Sequence, residues 1–284
     1  MKLLMFTKHL QDLPLEKMAD VVRDLGFDGL DVTTRTGGTI APENVTEELP
    51  RVIDVCAARG LEIGMLTTEI TSADHDHGEA IFQAASDAGI KFLKLGYFHC
   101  GDFGGLSGRL DEIRGRLEGL APMSRRYGVT ACVHTHSGDT FPPSGSLLYL
   151  LVQGLDPDEI GAYVDPGHMT IEGGVSAWRM GLDLLAPQIR LAAVKDFGWI
   201  TEDDPGLGKP AWLSKLVPLN EGVVRWPEVF WCLRQIGYDG YLSVHSEYQG
   251  SHSFRDMTTE EVIDQTRLDM EYLTEVIADS AGIA

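Results

Sequence analysis

Short apolar runs recur along the chain, and most of them follow a glycine. A helix commonly stops at Gly, because the position after its last turn takes a left-handed backbone. In an α/β unit the next strand then begins within a few residues. The chain repeats this punctuation five times, in LGFDGLDV (25–32), RGLEIGML (59–66), AGIKFLKL (88–95), YGVTACVH (127–134) and IGYDGYLSVH (236–245). Three more apolar runs, KLLMFTK (2–8), EIGAYVD (159–165) and IRLAAVKD (189–196), bring the predicted strands to eight. Runs of this kind suit strands of a parallel sheet, which are buried on both faces.

The intervening segments have helical periodicity. Leu15, Met18, Ala19, Val22 and Leu25 fall on one face, and Ile263, Leu268, Tyr272 and Val276 are expected to share another. Pro14, Pro42 and Pro227 stand where helices should begin, and Ser or Thr precedes several starts as a cap. Two Gly- and Pro-rich segments, 134–146 and 198–222, break the rhythm and read as long loops, which tend to carry function. No linker or low-complexity stretch divides the chain, so residues 1–284 are expected to form one domain. Alternating βα units to the number of eight point to a single (β/α)8 TIM barrel. The length of 284 residues agrees, since such a barrel takes about 250.

Composition narrows the partners. With 43 acidic and 23 basic residues the formal net charge is −20. Such a surface repels nucleic acid and anionic membranes, which are bound mainly through Lys and Arg. It also disfavours a highly charged phosphorylated substrate, unless a local basic pocket overrides the global field. Cys56, Cys100, Cys132 and Cys232 form no CxxC pair, so buried reduced thiols are expected rather than a disulfide framework. The apolar core of MKLLMFTKHL is too short for a signal peptide, and no stretch is long enough to span a membrane. A cytoplasmic location is the expectation.

Chemistry gathers where strands end. The runs ACVHTH (131–136), AYVDPGH (162–168) and LSVHSE (242–247) each start apolar and turn to His and carboxylate side chains at the C-terminal end. Barrel sites are built at that end, and side chains two apart on a strand share a face. The expected inward set is His134, His136, Asp165, His168, Lys195, His245 and Glu247. Each has a plainer role to set beside the functional one. A single His is often a hydrogen-bonded structural residue, Asp165 before Pro-Gly could be a turn or helix cap, and Lys195 beside Asp196 could be an exposed ion pair. At a barrel mouth Lys195 could also bind a carbonyl or hydroxyl, or act as a base if burial lowers its pKa. His99 and Glu69 are second-rank rim candidates, and His75 and His77 read as surface. Phe6, Tyr97, Phe197 and Trp199 could wall a sugar-sized pocket or simply pack. No Gly-rich phosphate loop and no GxSxG elbow is present.

The run GFDGLDV, then YVDPGH, AVKDFGW, PLNEG and GYDGYLSVHSEY, resembles the xylose-isomerase-like sugar phosphate isomerase/epimerase superfamily over essentially the whole chain. The resemblance implies a (β/α)8 barrel with one divalent metal, often manganese, held by a Glu after strand five, an Asp after strand six, a His after strand seven and a Glu after strand eight. Asp165 matches the Asp, and His168 matches a His often found three residues later. The two Glu positions fall on His134 and His245, and the strand-seven His falls on Ala193. On this basis the expected metal set is His134, Asp165, His168 and His245, with manganese or zinc favoured by the donor chemistry. His134, Lys195 and Glu247 are the expected catalytic residues, and His136, His99, Lys195 and Trp199 the expected contacts to a small carbohydrate.

The reaction this implies is proton abstraction next to a carbonyl, giving an isomerase or epimerase of a small sugar or keto-sugar. Expulsion of a β-hydroxyl through the same enediolate would give a lyase or dehydratase acting on a keto-sugar or inosose. A DNA-cleaving barrel is disfavoured by the charge. A catalytically degenerate carbohydrate-binding barrel is the non-enzymatic alternative, and Ala193 is the residue that supports it. A homo-oligomer is left open, with no interface residue indicated.

Overall fold

The eight apolar runs pair side by side into a closed parallel barrel. The computed structural model describes residues 1–204 and 206–280. The strands are β1 (Lys2–Phe6), β2 (Gly29–Thr34), β3 (Glu62–Thr68), β4 (Phe92–Lys94), β5 (Thr130–His134), β6 (Ile160–Val164), β7 (Ile189–Val194) and β8 (Tyr241–Val244). The barrel closes where β8 pairs with β1, from Lys2 against Tyr241 to Met5 against Val244. Helices α1 (Leu15–Asp24), α2 (Val45–Ala57), α3 (Gly78–Asp87), α4 (Leu106–Tyr127), α5 (Gly145–Val152), α6 (Pro166–Leu185), α7 (Trp226–Gln235) and α8 (Thr259–Asp279) follow the strands in turn.

The glycine punctuation works as expected. Gly26, Gly60, Gly89, Gly128 and Gly237 all have positive φ, and each ends a helix before β2, β3, β4, β5 or β8. Gly29 has a different reason: a Cβ there would lie 2.2 Å from the Glu62 carbonyl oxygen, so β2 and β3 meet only because that side chain is missing. Most of the core lies between barrel and helices. A smaller layer of Leu4, Met65, Cys132, Tyr163, Leu191 and Ala193 fills the barrel interior.

Three expectations change. Leu268 is 58% exposed. α8 instead buries Val262, Thr266, Asp269, Met270, Leu273 and Val276, a 3.6-residue stripe that leaves Leu268 on the opposite side. The segment 198–222 is mostly ordered structure: Asp196–Asp204 pairs antiparallel with Lys209–Val217 as a ribbon rising from β7. Its Gly and Pro content suggested a loop, but Phe197, Trp199, Ile200, Thr201 and Trp212 favour extended pairing. Within 134–146, Thr140–Phe141 pairs with Phe98–His99. All four cysteines are free; Cys100 alone is only half-buried. Among the described residues no helix is long and apolar enough to cross a membrane.

Candidate active site

Asp165 is held in place by the turn that begins α6. Its Oδ1 accepts the His168 backbone N–H at 3.1 Å, and its own N–H donates to Thr135 Oγ1 at 2.8 Å. The helix-cap role is therefore real, but it uses one oxygen only. Oδ2 faces the barrel mouth, 3.2 Å from Lys195 Nζ, 3.3 Å from His134 Nε2 and 3.7 Å from His168 Nε2.

Lys195 follows β7 directly and is 3% exposed. Its Nζ lies between two carboxylates, 3.2 Å from Asp165 Oδ2 and 3.3 Å from Glu247 Oε2. Glu247 Oε1 accepts from Lys8 Nζ at 2.8 Å. Burial works against the Lys195 charge, but Asp165 and Glu247 outweigh it and raise its pKa. Burial opposes Asp165 and Glu247 as well, yet Lys195 and the surrounding donors hold both well below the usual carboxylate range. Lys195 is thus a fixed ammonium, not a deprotonated base, and its pairing is buried. Asp196 points elsewhere. It accepts from the Phe197 and Val224 N–H groups at 2.8 and 3.0 Å and from Trp226 Nε1 at 2.8 Å, anchoring the root of the ribbon. Burial pushes its pKa up to about 7.

The histidines divide by role. Burial lowers His134 and His168 well below the ordinary value, and His136 and His245 to about 4. All four rings are therefore neutral at pH 7. His136 Nδ1 lies 3.0 Å from the Ser137 carbonyl, which only accepts, so the network assigns the proton to Nδ1 and a free lone pair to Nε2. His168 Nδ1 lies 2.7 Å from Ser137 Oγ and 3.2 Å from the Ser137 backbone N–H, and its Nε2 is turned toward Asp165 Oδ2 at 3.7 Å without a hydrogen bond. His245 Nε2 is 3.0 Å from the Tyr163 hydroxyl, and Phe6 stacks on its ring at 4.3 Å.

These groups border a cavity of about 330 Å³, the small end of the range for ligand pockets. Lys8, Arg35, His136, Lys195, His245 and Glu247 line it, with Phe6, Tyr97 and Phe197 as aromatic walls. His168 also reaches the lining, whereas His134 does not; it lies 5% exposed, stacked on Tyr163. His99 is on the rim, its exposed ring 3.4 Å from Asp139. Trp199 projects from the ribbon, 48% exposed. Neither lines the cavity. Glu69 accepts from Thr36 Oγ1 at 2.8 Å on the rim, and His75 and His77 lie away from the site, before α3. Ser137, Ser214, Leu216 and His252 complete the lining; none of these, nor Lys8 or Arg35, is marked out as a site residue by the sequence. Lys8 follows β1 on a single 3-10 turn, Thr7–His9, so strand alternation does not place it. Below the cavity, Asp31 accepts from Thr67 Oγ1 and Ser243 Oγ, both at 2.7 Å.

A divalent ion does not fit this arrangement. The expected ligands His134, Asp165, His168 and His245 do not form one open donor set. His245 Nε2 is engaged by Tyr163 at 3.0 Å, and the nearest cation to Asp165 Oδ2 is already Lys195 Nζ. Ala193, buried in the barrel interior, offers only a methyl group. Among the described residues no group of three or more His, Cys, Asp or Glu side chains has the geometry of a metal site. An ion on Asp165 Oδ2 would also sit beside the Lys195 ammonium. At about 4 Å and an effective dielectric of about 20, that repulsion is on the order of 8 kcal/mol.

A family model described as xylose isomerase-like TIM barrel matches residues 19–275. No curated protein matches the sequence significantly. Among solved structures, D-psicose 3-epimerase with D-tagatose from Clostridium cellulolyticum H10 superposes with a TM-score of 0.72 at 13% identity, covering 98% of this chain and 99% of that one. A probable 3-DHS dehydratase involved in petrobactin synthesis from Bacillus anthracis gives 0.69 at 17% identity, over 96% and 99% of the two chains. A xylose isomerase-like TIM barrel protein from Mycobacterium smegmatis, solved in complex with magnesium, gives 0.66 at 16% identity, over 97% of each.

Proposed function

Because the chain belongs to the xylose isomerase-like TIM barrel family, we propose that it is an isomerase or epimerase of a small sugar or keto-sugar, working by proton abstraction next to a carbonyl. The observation that carries this is the pairing of a fixed cation, Lys195, with a neutral base, His136, in one small cavity. An enediolate needs both: a positive group where charge develops on oxygen and a lone pair to receive the proton.

In this mechanism the substrate carbonyl accepts from Lys195 Nζ. His136 Nε2 takes the proton from the adjacent carbon, and the C–H electron pair moves into the enediolate. Ser137 holds the His136 ring in the required tautomer through its carbonyl. Glu247 keeps Lys195 charged, while Arg35 and Lys8 supply donors for substrate hydroxyls at the cavity wall. Tyr97 and Phe197 limit water around the enediolate. Return of the proton from His136 to the neighbouring carbon isomerises the sugar, and protonation of the original carbon from the opposite face by a solvent proton, with His136 releasing its own to solvent, epimerises it.

A dehydratase is the second reading. The cavity pairs Lys195 with a single identified lone pair, on His136, and elimination needs only one base for its first step. The likeness to a probable dehydratase is consistent with it.

Deuterium exchange tests both readings. The protein is incubated in D2O with a panel of ketoses and keto-sugars and followed by NMR. Incorporation next to the carbonyl is expected, and His136→Asn and Lys195→Met should each slow it by about 10²–10⁴-fold. Incorporation with retention of the carbon skeleton and hydroxyls indicates isomerisation or epimerisation; loss of a hydroxyl indicates the dehydratase. Exchange unaffected in both variants would reject this site.

A further inference from the structure

Two carboxylates meet at the mouth of this barrel, and two ammonium groups already neutralise them. Lys195 bridges Asp165 Oδ2 and Glu247 Oε2 at 3.2 and 3.3 Å, and Lys8 closes on Glu247 Oε1 at 2.8 Å. We propose that Lys195, supported by Lys8, takes the place a divalent ion would occupy between these carboxylates, so that the working site carries its own electrophile and binds no divalent metal. The inference deepens the proposed function by naming the group that polarises the carbonyl, and it rests on that reading for the identity of the reaction.

Three independent features lead to it. The first is charge. A dication between two carboxylates gives a neutral cluster, and so do two ammonium groups with neutral histidines; adding a dication to the present cluster would leave two uncompensated positive charges in a largely buried site. The second is position. Lys195 follows β7 and inserts between the ends of β6 and β8, while Ala193, two residues earlier on the same strand, withdraws the donor β7 could have supplied. The third is the neighbourhood of Asp165. Tyr163 engages His245 Nε2 at 3.0 Å, and the cation nearest Asp165 Oδ2 is Lys195 Nζ, which Asp165 shares with Glu247.

The chemistry balances without a metal. The C–H bond next to the carbonyl breaks, its proton moves to His136 Nε2, and its electrons reach the carbonyl oxygen as an oxyanion held by the Lys195 N–H donors. Reprotonation from His136 or solvent closes the cycle, and Lys195 ends as it began.

The test reads metal binding, so it needs no substrate, and failure to find a sugar substrate leaves its result standing. Protein dialysed against chelator is titrated with Mn2+, and free Mn2+ is followed by electron paramagnetic resonance. Wild type is expected to show no stoichiometric binding below about 1 mM. Lys195→Met, which frees Asp165 and Glu247 of their ammonium, should bind about one Mn2+ per chain at least tenfold more tightly. Lys195→Gln serves if the methionine variant does not fold, with circular dichroism confirming the fold of whichever is used. One Mn2+ per wild-type chain with micromolar affinity overturns the proposal. So does a folded Lys195 variant that gains no affinity, since the position would then not be one a metal can take.

Discussion

Asp31 shows how a single buried acid colours the behaviour of the whole site. Enclosed in the barrel beneath the cavity, it has its pKa pushed up to about 6 by burial, against 3.8 ordinarily, with Thr67 and Ser243 offsetting part of the effect. A folded pKa above the unfolded one stabilises at low pH, and that contribution is lost as pH rises from about 4 through 6. At roughly 1.4 kcal/mol per unit the loss is about 3 kcal/mol. Asp31→Asn removes the titration. Raising pH from 4 to 7 should therefore shift the stability difference in favour of the variant by about 2–3 kcal/mol, measured by urea unfolding at both pH values; a pH-independent difference would count against it. His136 gives a second residue-scale prediction. Burial favours its neutral ring, so 15N NMR of labelled histidine should show the Nδ1–H tautomer persisting as pH falls, with protonation only near 4. Titration near 6.5 would show a solvated ring and weaken its role as the free base. At this scale the sequence revealed residue types and strand-end addresses, hence Asp165, Lys195 and Glu247. It could not reveal that Lys195 reaches across to both carboxylates, because that depends on three strand ends brought together by closure.

At the scale of elements, the same residue type has opposite effects in different places. Gly29 is required by the close approach of β2 to β3, whereas Gly115 lies exposed in α4 with nothing within 4 Å of a Cβ. Gly29→Ala should lower stability by about 2–4 kcal/mol, and Gly115→Ala should raise it by up to about 1 kcal/mol. Thermal unfolding of the two variants checks the pair; equal effects would mean that strand spacing tolerates the methyl group. The strands were legible because each carries an apolar run and five of them follow a helix-ending glycine. The ribbon Asp196–Asp204 with Lys209–Val217 was not, since turn-forming residues masked a pairing that only its alternating aromatic side chains support. Leu268 failed for a related reason: a hydrophobic residue near the right spacing suggests a face, but the interior side of α8 is set by the barrel it packs against.

The molecule as a whole carries a formal net charge of −20, yet its cavity collects Lys8, Arg35 and Lys195. The global field and the local one have opposite signs, and for a long polyanion the global field dominates. Duplex DNA containing an abasic site should therefore show no binding below about 10 µM at low salt by fluorescence anisotropy, while nanomolar binding would reopen a nuclease reading. The buried ionic chain from Asp165 through Lys195 to Glu247 and Lys8 also has a bearing on how the protein comes into being. A ribosome makes Lys8 first, Asp165 and Lys195 much later, and Glu247 only after β8, the strand that pairs with β1. The first and last members of the chain thus arrive together when the barrel shuts. A nascent or truncated polypeptide lacking β8 has no closed sheet and leaves Lys195 with only one of its two carboxylates, Asp165, so the completion of the fold and the completion of the site are one event.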